Sequence, residues 1–543
     1  MKNRWAWFAL IVCILSAQFS FAQAPSIQWQ KTIGGNSTEG LFKVIQTTDG
    51  GYMLAGYSAS GISGEKTDTS RGYEDYWIVK ITATGNIQWD KTYGGDSTDY
   101  LQTIVPANDG GYLLAGYSVS GINGDKTDTA YGYWDTWIIK IDSNGTKLWD
   151  RTYGGSGNKT DGLVSAKQTS DNGYLLWMVS GSGINNIKTD SSRGSSDYWL
   201  VKIDSVGNIQ WQKTIGGSGI DHILSVIETL DGGYALAGFS WSGISGEKTT
   251  ASFGGFDYWV VKLDSLRNIE WQKEYGGNSF EHLMSIQQLP DSGYMIGGFS
   301  QSGVSGNKTE PSRGGYDYWM IRTDAGGNIL WQKVFGGSGA EEMRGGIIST
   351  ADGGYLHVGF SQSGTSGEKS EPNRGMDDYW IVKTDANGTL QWDKTFGGDS
   401  TDFIYTAIQT TDGGFLLAGW SMSGISGDKT GFNRGGYDYW IIKITPDLTG
   451  ISNNIQTQNM ISIFPNPFNN TATLRIETPL DKNRSYTLII YDQIGKEVYR
   501  IEKIISNETL ISRDNLNSGI YFYNLFSNSE GKKINHSGKI IIQ

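Results

Sequence analysis

The sequence predicts an all-β chain: a seven-bladed β-propeller followed by a small C-terminal β-sandwich (Ig-like) domain. Two tryptophan series carry most of that expectation. The tryptophan of a W-[QD]-[KR] motif recurs at Trp29, Trp89, Trp149, Trp211, Trp271, Trp331 and Trp392, spaced 60, 60, 62, 60, 60 and 61 residues apart. A second series, in D-[YT]-W, falls at Trp77, Trp137, Trp199, Trp259, Trp319, Trp380 and Trp440, and each member with a successor stands 12 residues before the next W-[QD]-[KR] tryptophan. Each unit also holds four short strand-like stretches, which in the fourth unit cover 223–229, 234–240, 257–264 and 268–274. Four short strands repeated seven times fit a propeller better than a solenoid, whose repeats are shorter and need caps. The ends of the array agree. The first W-[QD]-[KR] strand has no D-[YT]-W strand before it, and the last D-[YT]-W strand has no W-[QD]-[KR] strand after it. Pairing these two halves would close the ring and hide a sheet edge.

The elements follow in chain order. Lys2 and Arg4 precede an apolar run from Trp5 to Phe21 that ends Ser20-Phe21-Ala22. A basic start, an apolar middle and small residues before the cut describe a signal peptide, residues 1–22. A retained anchor is the alternative, but the run is short and broken by Ser16, Gln18 and Ser20. Val12 before Cys13, where a small residue is needed, speaks against a lipoprotein. Cys13 is the single cysteine, so the mature chain has no disulfide, no thiolate metal site and no cysteine nucleophile. Losing Lys2 and Arg4 takes the formal charge from −12 to −14, which repels phosphate backbones and argues against nucleic acid as a partner. The mature chain carries no further run apolar enough to span a bilayer. A monomer is expected.

Residues 23–445 form the propeller. Turn chemistry separates its strands: Leu230-Asp231-Gly232-Gly233 makes one tight hairpin, and Asp204 to Asn208 another. The hairpin from Asp142 to Trp149 resembles the D-x-x-T-G-x-x-x-W motif of quinoprotein-type propellers, one residue shorter. That resemblance implies a strand order. D-[YT]-W becomes the third strand, W-[QD]-[KR] the outermost, and the strand after each Gly-Gly link the innermost; it implies nothing about a quinone. The order puts the Gly-Gly links on one face with the long loops of pattern S-x-S-G-x-S-G-x-K-T, such as 58–75. Loops this long in a compact repeat raise the prior for function. The extra residues of units three and six are expected in the Gly-Gly links.

Two sets of site residues stand out on that face. An acid opens the innermost strand of every unit: Glu39, Asp99, Asp161, Asp221, Glu281, Glu341 and Asp402. On the propeller reading they ring the channel mouth, where hard carboxylate oxygens leave room for calcium or a polyol. Alternatively each caps backbone amides or meets a lysine, as a residue present in every copy is more often structural. Lys66, Asp75 and their counterparts fall under the same argument. Ligand contacts should instead lie where copies differ: Trp134, Trp241, Phe256, Tyr316 and Tyr437 occupy variable loop positions, suited to sugar stacking or protein docking. Packing between loops is the competing reading. His222 and His282 share a position in adjacent units, as a metal pair would, without a third ligand. Trp177 replaces a small residue in unit three and is expected to fill a gap. No catalytic constellation or phosphate loop is present, and no cofactor is expected apart from calcium.

Residues 446–459 read as a polar linker, and 460–543 as a separate domain with strands near 474–476, 486–491, 520–525 and 540–542. The stretches Ile463 to Phe468, Tyr491 to Lys496, Leu516 to Tyr523 and Gly538 to Ile540 resemble, in order, the C-terminal sorting domain of type IX secretion. The resemblance implies a Bacteroidetes-type bacterium, the type IX secretion machinery as a partner, and a destination outside the cell or on its outer-membrane surface. In that family the domain is commonly removed, with the cargo released or fixed to surface lipopolysaccharide. Two functions remain open: a binding or adhesion scaffold for a glycan or extracellular protein, and a secreted polysaccharide hydrolase or lyase. An enzyme needs one converged carboxylate cluster in a cleft, whereas a scaffold shows near-sevenfold equivalence.

Overall fold

The computed structural model describes residues 24–157, 159–447, 461–476, 486–492, 496–514, 516–527 and 533–542. The expected signal peptide and all but the first two residues of the expected linker lie outside them. Every regular element among the described residues is a strand. The chain divides into two compact units, Met1–Thr449 and Gly450–Gln543.

The first unit holds seven four-stranded antiparallel sheets. Sheets one to six are built from consecutive strands spanning 39–93, 99–153, 161–215, 221–275, 281–335 and 341–396. Sheet seven takes three strands, Asp402–Gln409, Phe415–Ser421 and Asp438–Ile444, and its fourth is Ile27–Ile33 from the start of the chain. In that pairing Thr32 lies opposite Trp440 and Lys31 opposite Ile441. In sheet four the strands are Asp221–Glu228, Tyr234–Ser240, Asp257–Leu263 and Ile269–Tyr275. The first begins at the acid, two residues earlier than expected, because Asp221 already pairs with Ser240.

The two tryptophan motifs are spaced as they are because they bond to each other. The D-[YT]-W tryptophans are fully buried. Each indole N–H donates to the residue after a W-[QD]-[KR] tryptophan on the adjoining strand: Trp77 to Asp90 at 3.0 Å, Trp259 to Gln272 at 3.2 Å, Trp380 to Asp393 at 2.9 Å. Trp440 finds its acceptor, Gln30, at 3.0 Å on the strand from the other end of the chain. A buried indole without such a partner would lose roughly 1–3 kcal/mol in desolvation.

The first strand of each sheet packs against the second strand of the sheet before it, and the first strand of sheet one packs against sheet seven. The tyrosine of D-Y-W supplies much of the adhesion. Its ring lies 4.8 to 5.0 Å from the buried tryptophan of the following sheet, as with Tyr318 and Trp380, or Tyr258 and Trp319. Its hydroxyl donates to that tryptophan's carbonyl: Tyr76 to Trp137 at 2.8 Å, Tyr379 to Trp440 at 3.0 Å, and Tyr439 of sheet seven to Trp77 of sheet one at 3.2 Å. Each such aromatic pair adds roughly 0.5–1.5 kcal/mol beyond the apolar area it buries. Between sheets two and three the tyrosine is Thr136, which donates instead to the Asp161 carbonyl at 2.8 Å.

A β-bulge interrupts the first strand of every sheet, for example between Ile223 and Ser225. An extra unpaired residue re-aims its side chain away from the ladder. In sheet six the irregularity is longer, from Glu342 to Gly346. This corrects the expected place of that unit's extra residue. It sits inside the strand Glu341–Ser349, where Gly346 at φ 74° permits the kink, and not in the Gly-Gly link. The insertion of unit three does fall in its link, between Gly155 and Asp161. Trp177 is buried, and its indole N–H reaches the Leu224 carbonyl at 3.4 Å.

The second unit pairs a three-stranded sheet, Ile461–Phe464, Thr471–Ile476 and Glu508–Ser512, with a four-stranded one, Glu497–Ile504, Tyr486–Tyr491, Gly519–Ser527 and Lys533–Ile542. One apolar core joins them, with Leu474, Leu488, Ile490, Ile511, Leu525 and Ile540 at its centre.

Candidate functional site

The seven strand-opening acids are fully buried, which corrects the expectation that they ring an open mouth. Each carboxylate accepts the backbone N–H of the second glycine of its Gly-Gly link: Glu39 from Gly35 at 2.9 Å, Asp99 from Gly95 at 2.8 Å, Asp221 from Gly217 at 2.7 Å, Glu281 from Gly277 at 2.9 Å, Glu341 from Gly337 at 2.7 Å, Asp402 from Gly398 at 2.7 Å. Asp161 does the same for Gly155 at 2.7 Å across its longer link. Serines of the S-x-S motif add hydroxyl donors, as Ser58 and Ser60 do to Glu39 at 2.8 and 2.6 Å. The acids therefore tie the link to the long loop of the same repeat. Among the described residues no group of three or more His, Cys, Asp or Glu is placed to hold a metal ion, so the calcium expectation has no such cluster behind it.

The aspartate of D-[YT]-W faces the strand-opening acid of the next sheet. Burial first, then that neighbouring carboxylate, pushes Asp75, Asp197, Asp317 and Asp378 up to about 6. Asp257 and Asp438 rise to about 7, burial being the first cause in both and the Glu39 carboxylate adding to it for Asp438. Lys66 and its counterparts are buried beside the tryptophans; Lys248, for instance, bonds to Glu274 at 2.7 Å and to the Ser242 carbonyl at 2.8 Å. These groups brace the loops from beneath.

Of the five aromatic candidates, Trp241 alone is exposed, at 57%; Trp134, Phe256, Tyr316 and Tyr437 are half-buried. The last four precede the D-[YT]-W aspartate, and their carbonyls receive the N–H of the next sheet's acid, as Phe256 does from Glu281 at 2.7 Å. Their rings join aromatic clusters. Trp134 packs on Tyr100, Tyr117 and Tyr133. Tyr437 meets Trp420, and Tyr316 meets Phe299. Phe256 touches Phe239, Phe280, His282 and Trp241, whose ring centroid is 5.5 Å away. His222 and His282 take no part in a metal cluster among the described residues. Phe239 stacks on His282 at 4.3 Å and meets His222 at 5.1 Å, so both imidazoles are aromatic packing partners. Burial pulls both down to about 4, leaving them neutral.

Two features escaped the sequence reading. The tip of the long loop exposes an aliphatic side chain in six repeats: Ile62, Ile122, Ile184, Ile244, Val304 and Ile425, each more than half exposed. An aliphatic residue directly after glycine at one loop position in six of the seven copies was the available signal. The other is a cavity of about 390 Å³ lined from the first strand of every sheet. The bulged residues Phe42, Gln102, Val164, Leu224, Met284 and Tyr405 reach its wall, with Arg344 in sheet six. A second cavity of about 410 Å³ adjoins it and shares Lys43, Thr103, Ser165 and Leu224.

Comparison with known proteins bears on the C-terminal unit most. Over an alignment of 344 positions, covering 58% of this chain and 35% of the other protein's length, the chain is 23% identical to the regulatory protein FlaEY of Caulobacter vibrioides. Among solved structures, an exo-β-1,3-galactanase from Bifidobacterium bifidum matches over 65% of this chain and 91% of its own, at 11% identity and a TM-score of 0.27. The dimeric latent PorU of Porphyromonas gingivalis matches over 75% of this chain and 31% of its own, at 9% identity and a TM-score of 0.14. No helix among the described residues is long and apolar enough to cross a membrane. Residues 462–543 match the family of secretion system C-terminal sorting domains, which implies handling by the type IX secretion machinery and export to the cell surface or beyond it.

Proposed function

We propose that the chain is an exported binding scaffold of a Bacteroidetes-type bacterium, a closed seven-bladed β-propeller whose long-loop face contacts a glycan or an extracellular protein. The mature protein would begin after residue 22, carry the propeller over 23–445 and the sorting domain over 460–543. Pairing of Ile27–Ile33 with Asp438–Ile444, the Tyr439 bond to sheet one and a cavity touched by all seven sheets support closure. One observation carries the binding reading: exposed apolar side chains concentrate on the long loops, where Trp241 stands beside Phe256 and six loop tips present an aliphatic residue. Buried apolar groups stabilise a monomer, whereas exposed ones at equivalent positions offer contact surface. The seven acids are sealed beneath this face, so the hydrolase or lyase alternative draws no support from them.

The test is a glycan, polysaccharide and matrix-protein binding array on the full chain, with and without calcium. Binding that falls at least tenfold in Trp241→Ala supports the loop face. Release of reducing sugar from any polymer, without retained binding, would sink the scaffold reading.

A further inference from the structure

The lining of the cavity at the first strands breaks the sevenfold equivalence in charge. The residue after each bulge is Thr103, Ser165, Ser225, Ser285 or Thr406 in five sheets and Gly346 in sheet six, but Lys43 in sheet one. Lys43 lines both adjoining cavities. Among the described residues its ammonium has no hydrogen-bonding or ion-pairing partner. The other cations nearby are satisfied: Arg344 forks onto Glu342 with Nε at 3.0 Å and lies 5.4 Å over the Phe299 ring, and Lys167 meets Glu228 at 3.3 Å. Burial holds the Lys43 ammonium below its ordinary value. Lys43 is half-buried, and an ammonium that faces a cavity without a counter-charge is free to take an anion there. Around it, the Thr103, Ser165, Ser285 and Thr406 hydroxyls and the Gln102 amide line the cavity, the four hydroxyls without a bond inside the chain among the described residues. A volume of about 390 Å³ falls within the span of small-molecule sites, roughly 300–1,000 Å³.

We propose that this cavity binds a small hydroxylated carboxylate of the sugar-acid class, its carboxylate paired with Lys43 and its hydroxyls met by Thr103, Ser165, Ser285, Thr406 and Gln102. The apolar wall of Phe42, Leu224, Met284 and Ile347 gives the ring faces of such a molecule a surface. The site is independent of the loop face and stands whether or not that face binds a polymer. An acidic chain holding one unmatched cation in a hydroxyl-rich chamber, where Arg344 is already paired with Glu342, selects an anion that also carries hydroxyls.

Isothermal titration of the full chain with D-glucuronate, D-glucose and inorganic phosphate tests it. Glucuronate should bind with a sub-millimolar Kd, and glucose, without the carboxylate, at least tenfold more weakly. Lys43→Met should weaken glucuronate at least tenfold, while Lys43→Arg keeps it within a few-fold. In wild type the affinity should fall as the pH is raised through the range where the ammonium loses its proton; this arm needs no variant to fold. Absence of glucuronate binding, binding indifferent to Lys43→Met, or affinity independent of pH would each overturn the proposal. Lys43-dependent phosphate binding without glucuronate binding would overturn the sugar-acid class.

Discussion

Replacing Asp438 with asparagine should stabilise the protein above neutral pH, although it removes a buried carboxylate that accepts hydrogen bonds. Asp438 Oδ2 takes the Arg434 N–H at 2.7 Å, while the buried Oδ1 has no hydrogen-bond partner among the described residues. Burial and the Glu39 carboxylate raise Asp438 from 3.8 to about 7. The folded state therefore binds a proton more tightly than the unfolded chain. That contribution is fully present below about pH 4 and is lost as pH rises from about 4 to about 7. Three units at about 1.4 kcal/mol each set a ceiling of about 4 kcal/mol, and relaxation around the coupled pair brings the expected loss nearer 1–3 kcal/mol. In Asp438→Asn the amide keeps an acceptor for Arg434 and offers Glu39 a donor that does not titrate. Urea unfolding at pH 5, 6, 7 and 8 reads the effect. The variant should match wild type within about 1 kcal/mol at pH 5 and exceed it by about 1–3 kcal/mol at pH 8. Equal destabilisation at pH 5 and pH 8 would show that Asp438 stays ionised across the range, and the shared-proton argument would fail.

Two further outcomes follow from the packing. Trp259→Phe removes the indole N–H that Gln272 accepts and leaves space in a fully buried site; it should cost about 2–4 kcal/mol, read as a lower urea midpoint with an unchanged slope. A chain lacking residues 24–33 leaves the strand Asp438–Ile444 unpaired on one side and Trp440 without Gln30. Size-exclusion chromatography should then show self-association, and a monodisperse, equally stable protein would count against the role assigned to Ile27–Ile33.

Much of the architecture was legible because repetition amplifies weak signals. Seven copies of D-[YT]-W and W-[QD]-[KR] mark the strands better than any single copy could, and the Trp–Gln or Trp–Asp bond between them keeps their spacing. The fourth unit's second strand, 234–240, was read to the residue, because its Gly-Gly turn and S-x-S motif bound it on both sides. The site was less legible, for two physical reasons. Depth cannot be read from a one-dimensional acid: Glu39 and its counterparts look like ligands until their Ser and Gly donors are placed around them. A bulge also reverses which face a residue serves. Strict alternation hides the fact that Phe42, Gln102 and Tyr405 reach the cavity while Lys43 follows on the same wall. In the C-terminal unit, Glu497–Ile504 and Glu508–Ser512 were missed because their charged residues interrupt the apolar pattern a strand usually shows.

The strand Ile27–Ile33 is the first regular element among the described residues and pairs with the last one of its unit, Gln30 and Trp440 standing 410 residues apart. Contacts so distant in sequence form late, since the loop they close must first be ordered by nearer ones. A growing chain thus carries one strand in waiting until nearly the whole unit has emerged. Any chain cut short before Asp438 would never find that partner and would keep an open, adhesive edge. The joint between beginning and end distinguishes finished molecules from fragments, and it does so before the sorting domain, which follows it in the chain, has been made.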